Sequence, residues 1–302
     1  MTSLKRFYVG TIVNRDLEVF KEITKFLKTN YNLIPVNLLK DNLTFSLKHF
    51  KKLIKRNPLS FLIVKLTSQE SNQEINEAIE EKCSNIPILN SMSSVNTCES
   101  RSKTFELLEE KCKNVMIPDT FHSYDQAFKA CSQGIPIIIK LDQHNIPNFP
   151  KNDRIIGVAE NTDILDRLVK NYLDQELFFQ EYLGEFDIIY KAYVVGRWLV
   201  SITSQNRLQQ DLNLNPIDLI HLRVEVPKQF KRRIIRIGRK FGMSVYGIDY
   251  IKTENGTFIV DVNDFPSFRS IPEGVSLISD HIYNIISTRE QELQAFAKVR
   301  IK

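Results

Sequence analysis

Short apolar runs alternate with helix-period stretches through the N-terminal part of the chain. The runs are Phe7 to Val13, Leu33 to Leu38, Phe61 to Leu66 and Ile86 to Leu89, and the amphipathic patterns lie near residues 16–28, 43–56 and 71–82. That rhythm predicts a small parallel sheet, because parallel neighbours need a crossover long enough to hold a helix. After the turn at Asn90-Ser91, the pattern predicts a helix from about Ser100 to Lys111, a break at Pro118-Asp119-Thr120, and a helix over Tyr124 to Cys131. Ile135 to Lys140 then reads as an apolar strand ending in a cation, followed by a polar loop, a strand over Ile155 to Val158 and a helix over Asp163 to Leu173.

From Glu176 onward the pattern predicts strands at 177–183, 188–195 and 198–203, an amphipathic helix, strands at 244–252 and 257–262, and a closing helix over 275–297. The connections at Gly196-Arg197 and Glu254-Asn255-Gly256 are too short for parallel crossovers, so antiparallel pairing is expected. The expected class is α/β (α+β), with an N-terminal α/β domain over 1–96, a central α+β layer over 97–175 and a C-terminal one over 176–302.

With 302 residues, 42% hydrophobic and 25% charged, the composition is that of an ordinary globular chain and excludes disordered or collagen-like classes. The net charge of +5 is local: residues 225–240 carry seven basic side chains against one acid, and without them the balance is −1. Phe230, Ile234, Ile237 and Phe241 supply a buried helical stripe in that stretch, so its cations read as a solvated helix face rather than a nucleic-acid patch. No run approaches the length of a membrane span. The four cysteines form no CxxC pair and have no histidine at ligand spacing. Buried, reduced thiols in the cytoplasm are expected, with no membrane or nucleic-acid partner.

The chemistry concentrates in Tyr246 to Ser267. Asp261 and Asn263 are two apart and share a strand face. If Glu254-Asn255-Gly256 is a three-residue loop, Thr253 pairs with Thr257 and Asp249 falls opposite Asp261; a two-residue Asn255-Gly256 turn would put the aspartates on opposite faces. Two carboxylates and an amide oxygen on one face suit Mg²⁺ completed by substrate phosphates. The alternative is that both aspartates merely occupy exposed strand positions. Lys140 ends an apolar strand and Lys191 interrupts another, places where an ammonium either snorkels to water or meets an anion. Two cations beside a metal-binding carboxylate set point to a polyphosphate, most simply ATP, held without a P-loop because neither GxxxxGK[ST] nor GxGxxG occurs.

In order along the chain these pieces resemble the ATP-grasp superfamily, and more closely the inositol-trisphosphate 5/6-kinase (inositol-tetrakisphosphate 1-kinase) family. Ile63-Val-Lys65-Leu-Thr67 is similar to its HKLT segment, which implies that Lys65 contacts an inositol phosphate. Cys98 to Leu107 resembles its DRSKSYEL segment, making Arg101 an ATP contact, and Lys140 resembles its ATP lysine. Gln180-Glu181-Tyr182-Leu183 resembles the hinge whose backbone holds adenine. Lys191-Ala-Tyr-Val-Val-Gly196 resembles KVFVVG, whose lysine lies between ATP and the acceptor. Asp249, Asp261 and Asn263, within a match to DxNxFPG, would be ligands of one or two Mg²⁺ ions.

The resemblance implies an ATP-grasp fold in which a small N-terminal parallel domain precedes two layers that sandwich ATP. It also implies γ-phosphoryl transfer to a small-molecule acceptor, a phosphorylated polyol, bound by Arg15, Lys65, Lys191, Asn263 and Ser267. Lys191 would be the catalytic cation, and a monomer is compatible with this scheme. The chain departs from the family at Gly184-Glu185-Phe186-Asp187, where NHxG is usual, and at Thr203 to Asn206, where a basic segment is usual. His144 sits too close to Lys140 to match the family histidine, and Leu141 to Arg154 contains no glycine. Asp187 before an apolar strand resembles the other ATP-grasp branch, the carboxylate-amine ligases that act through an acyl phosphate, and that alternative stays open.

Overall fold

The computed structural model describes residues 6–41, 43–67, 72–144, 146, 154–186, 188–205 and 221–300, with side chains through residue 293. The chain divides into two compact units, residues 1–92 with 265–302, and residues 93–264.

In the first unit, β1 (Phe7–Val13), α1 (Leu17–Tyr31), β2 (Leu33–Asn37), α2 (Leu47–Arg56), β3 (Leu59–Lys65) and α3 (Asn72–Cys83) follow the alternation of the sequence. The three strands form a parallel sheet in the order β2-β1-β3. The apolar run Ile86 to Leu89 is not a strand: it makes one bridge, Leu62 to Ile88, with the Pro87 carbonyl accepting from Leu62 N at 2.9 Å and Leu89 N donating to Leu62 O at 3.1 Å. Pro87 has no N–H to donate, and the helix that begins at Met92 leaves too little chain for a longer ladder. α4 (Met92–Cys98), a short helix the sequence pattern does not announce, follows.

The second unit contains two antiparallel sheets. α5 (Arg101–Lys111), β4 (Thr120–Phe121), α6 (Tyr124–Ser132), β5 (Ile137–Leu141), β6 (Ile155–Ala159), α7 (Thr162–Lys170) and β7 (Leu177–Glu181) give a four-stranded sheet in the order β4-β7-β5-β6. β8 (Ile188–Val195), β9 (Trp198–Gln205), β10 (Arg223–Val224), α8 (Lys228–Phe241), β11 (Val245–Thr253) and β12 (Gly256–Asp264) give a five-stranded sheet in the order β10-β9-β8-β11-β12. α8 lays Ile234, Ile237 and Phe241 on Ile248, Tyr250 and Val262 and leaves Lys228, Arg232, Arg236, Arg239 and Lys240 exposed, the solvated basic face expected of its sequence. Gly238 lets the Tyr246 ring approach so closely that an added Cβ would stand 2.2 Å from it.

α9 (Gly274–Arg300) returns to the first unit, where Tyr283 stacks on Tyr31 with ring centroids 4.2 Å apart and Asp280 accepts from the Tyr31 hydroxyl. The closing helix therefore packs with residues 1–92, not with the 176–264 segment it was grouped with on sequence. All four cysteines are buried and free. Among the described residues no helix is long and apolar enough to cross a membrane.

Candidate functional site

The second unit holds a cleft between its two sheets, with walls that include Ile138, Lys140 and Gln180 from one sheet and Asp249, Ile251 and Asp261 from the other. The carboxylate wall depends on the register of β11 and β12. The turn is the two-residue Glu254-Asn255, so Thr253 pairs with Gly256 and Lys252 with Thr257, one position away from the three-residue loop expected. Gly256 adopts φ 140, and a Cβ there would meet the Met116 sulfur at 2.7 Å. That register alone would set Asp249 against Val260. A shift after Tyr250 opposite Ile259 corrects it, leaving Val260 as the extra residue of a bulge and Asp249 opposite Asp261.

On the other side of β11, Asp249 lies opposite Lys191 of β8. Lys191, Asp249 and Asp261 thus form a row across three neighbouring strands, with Lys191 Nζ 2.7 Å from Asp249 Oδ2. Asn263, on the same face two residues on, donates from Nδ2 to Asp261 Oδ2 at 3.3 Å. This is the grouping expected from sequence, reached through a bulge rather than a longer turn.

Lys140 enters from the opposing sheet. Its Nζ donates to Gln180 Oε1 at 2.9 Å and to the carbonyl of the bulged Val260 at 3.4 Å. Burial pulls the ammonium down to about 8, against the opposing pull of Asp261. Arg101, at the start of α5, donates to the carbonyls of Leu141 and of Gln143, the latter at 3.4 Å, and its Nε stands 4.0 Å from Asp261 Oδ1. Burial lowers the Arg101 pKa, with Asp261 and Asp142 opposing the shift.

His144, which the motif spacing left unmatched, is brought to the same carboxylate, its Nε2 3.2 Å from Asp261 Oδ1. Burial, then the charges of Arg101 and Lys140, push its pKa well below the usual histidine range, so the imidazole is neutral at pH 7. No local pattern marks His144; only the fold of the segment after β5 delivers it.

Two buried donors in this cleft, Arg101 Nε and Gln180 Nε2, make no hydrogen bond among the described residues. Buried donors without acceptors are rare, and a cleft that keeps them beside Lys140 fits an anionic guest. At the predicted hinge, Glu181 N donates to Asp119 O and Tyr182 N to Pro136 O, both at 2.8 Å. The Leu183 N–H makes no hydrogen bond among the described residues.

The oxygen set of Asp249, Asp261 and Asn263 has the chemistry of a hard divalent cation site that draws its remaining ligands from phosphate and water. Among the described residues no group of three His, Cys, Asp or Glu side chains is gathered to hold a metal. The two carboxylates are instead faced by Lys191, His144 and Arg101.

The remaining expected site residues, Arg15, Lys65 and Ser267, belong to the first unit. Lys65 is 0% exposed, its Nζ lying 2.8 Å from Asp16 Oδ2 and 4.8 Å from the centroid of the Phe265 ring. An acceptor role for Lys65 would require that ion pair to open. Arg15 and Ser267 are half-buried. The departures at Asp187 and Asn206, and most of the segment between His144 and Arg154, lie outside the described residues.

No protein-family model matches the chain. In sequence it is similar to inositol-tetrakisphosphate 1-kinase 2 of Oryza sativa, from subspecies indica and japonica alike, with 18% identity over 305 residues that cover 89% of this chain and 84% of the kinase. In structure it is similar to a RimK domain ATP-grasp protein from Sphaerobacter thermophilus, with TM-score 0.64 and 15% identity, covering 91% of this chain and 99% of that one. It is also similar to D-alanine–D-alanine ligase from Bacillus anthracis complexed with ATP, with TM-score 0.66 and 13% identity over 95% of this chain and 99% of that one. A third likeness is to a Chryseobacterium gregarium RiPP-associated ATP-grasp ligase in complex with ADP and a leader and core peptide, with TM-score 0.65 and 13% identity over 94% and 97%. The chain has the ATP-grasp fold.

Proposed function

We propose that this chain is a magnesium- and ATP-dependent kinase that transfers the γ-phosphoryl group to a hydroxyl of an inositol phosphate or related polyol phosphate. The observation that carries the reading is the pair Asp249 and Asp261, with Lys191 beside Asp249, facing Lys140 and Arg101 across one cleft. Cations on one wall and oxygen ligands on the other meet the needs of a metal-bound polyphosphate. The sequence similarity to an inositol-tetrakisphosphate 1-kinase over 89% of the chain supports the kinase class.

Adenine would lie at Gln180 to Leu183, against Ile138 and Ile251, with Leu183 N–H as donor to the base. Lys140 and Arg101 would hold phosphate oxygens, Arg101 through the Nε that makes no hydrogen bond among the described residues. Mg²⁺, one or two ions held by Asp249, Asp261 and Asn263, would supply neutralisation of charge on the transferring phosphoryl group. Lys191, now against Asp249, would turn to the same oxygens during transfer, so that positioning and electrostatics rather than a strong general base lower the barrier.

A second reading, a carboxylate-amine ligase, is supported by the ligases among the structural relatives. The destination of the γ-phosphorus separates the two. ATP labelled there is offered with inositol phosphates and polyols, or with amino acids and dicarboxylates. Label on a polyol and no free phosphate is expected. Free phosphate released only with the second pool would move the chain to the ligase branch.

A further inference from the structure

The end of β5 is stitched to the start of α5 through one buried carboxylate. Asp142 is 5% exposed, and its Oδ1 accepts from Ser102 N at 2.8 Å and from Ser102 Oγ at 2.7 Å. Its carbonyl accepts from Arg101 N at 2.9 Å, and its own N–H donates to Glu176 O at 2.8 Å. Ser100, the N-cap, accepts from Lys103 N at 3.2 Å. The first three N–H groups of α5 are therefore taken by Asp142 and Ser100, and the helix start, which would otherwise attract a phosphate, is closed by an internal anion.

Arg101 and Asp142 are interleaved. The guanidinium donates to the carbonyls of Leu141 and Gln143, the residues on either side of Asp142. Ser100 bridges to Gln143, and His144 N donates to Glu99 O at 3.0 Å. Each contact ties residues 99–102 to residues 141–144. The two side chains that project from this seam towards Asp261 Oδ1 are Arg101 and His144.

We infer that Asp142 is a positioning residue for the nucleotide site: by clamping Ser102 it fixes the seam that aims Arg101 and His144 at Asp261. The inference rests on the nucleotide reading above. Asp142 does not line the cleft, and its Oδ1 is taken by Ser102. Removing it would release the α5 N-terminus and let Arg101 turn, a loss of preorganisation rather than of a contact.

The test is calorimetric titration of Mg-ATP into wild type, Asp142→Ala, Asp142→Asn, Ser102→Ala, Arg101→Ala and the Asp142→Ala/Arg101→Ala double variant, with thermal melts as the check on folding. Asp142→Asn keeps an oxygen for Ser102, so its affinity should stay within about threefold of wild type, whereas Asp142→Ala should lose about tenfold, the scale of a lost cap. Ser102→Ala, which drops one of the two hydrogen bonds, should fall between them and decides the matter if Asp142→Ala does not fold. In the Arg101→Ala background Asp142→Ala should cost less than about twofold more, because the two act as one unit. Unchanged affinity in Asp142→Ala, full additivity in the double variant, or a loss in Asp142→Asn equal to that in Asp142→Ala would each overturn the inference. Wild type without Mg-ATP affinity would instead overturn the nucleotide reading beneath it.

Discussion

Asp249 and Asp261 face each other across β11 and β12 only because Val260 is bulged out of the ladder between them. The two-residue turn alone would have aligned Asp249 with Val260 and turned Asp261 to the other face, since a one-residue slip inverts every side chain. The bulge also turns the Val260 carbonyl to Lys140, so one irregularity serves both walls of the cleft. Asp249→Asn or Asp261→Asn should each lower turnover roughly a hundredfold or more, on the scale of a lost electrostatic group at a reacting centre. Steady-state ADP release measures it, and wild-type turnover in either variant would refute the metal assignment.

Lys191 is paired with Asp249 at 2.7 Å and is not among the residues that line the cleft with the hinge, so its proposed work is in transfer rather than nucleotide binding. Lys191→Ala should lower kcat while leaving the ATP dissociation constant within a few-fold of wild type. A selective rise in that constant, with kcat kept, would assign Lys191 to the nucleotide alone.

Lys140 gives the site a pH dependence. Its ammonium is pulled down to about 8, so in the free protein it is charged below that pH and neutral above it. Phosphate favours the charged form, and binding above about 8 must therefore take up a proton. ATP affinity should be flat below pH 8 and fall as pH rises beyond it, by up to about tenfold per unit. Lys140→Ala should bind more weakly and show no such fall in titrations between pH 7 and about 9.5.

The seat of α8 makes a stability prediction independent of function. A Cβ on Gly238 would stand 2.2 Å from the Tyr246 ring, whose hydroxyl donates to Ile234 O at 2.9 Å. Gly238→Ala should cost about 1–3 kcal/mol by overpacking, and Tyr246→Phe about 1 kcal/mol through the lost buried hydrogen bond. Denaturant melts check both, and a Gly238→Ala protein as stable as wild type would contradict the close approach.

Much of the fold was legible because it rests on local pattern. β1 and β8 match their apolar runs residue for residue, and the basic helix follows from its stripe of Phe230, Ile234, Ile237 and Phe241. The unread parts depend on tertiary context. Ile86 to Leu89 has a strand's composition but one bridge to pair with, and α9 resembles any closing helix until Tyr31 and Asp280 fix where it packs. Within the site, spacing put Asp261 and Asn263 on one face, but it brought Asp249 to them only through a three-residue loop; the structure does so with a two-residue turn and a bulge that leaves no mark in the residue types. His144 and Asp142 were invisible for the same reason: their partners, Asp261 and Ser102, are distant in sequence and joined by the seam between β5 and α5.

The central claim is that the cleft between the two sheets of residues 93–264 holds Mg-ATP, and calorimetric titration of ATP with and without Mg²⁺ tests it most directly. Wild type should bind ATP at least about tenfold more tightly with Mg²⁺ than without, and Lys140→Ala should lose most of that affinity. Absence of binding in wild type, or an affinity indifferent to both Mg²⁺ and Lys140, would contradict it.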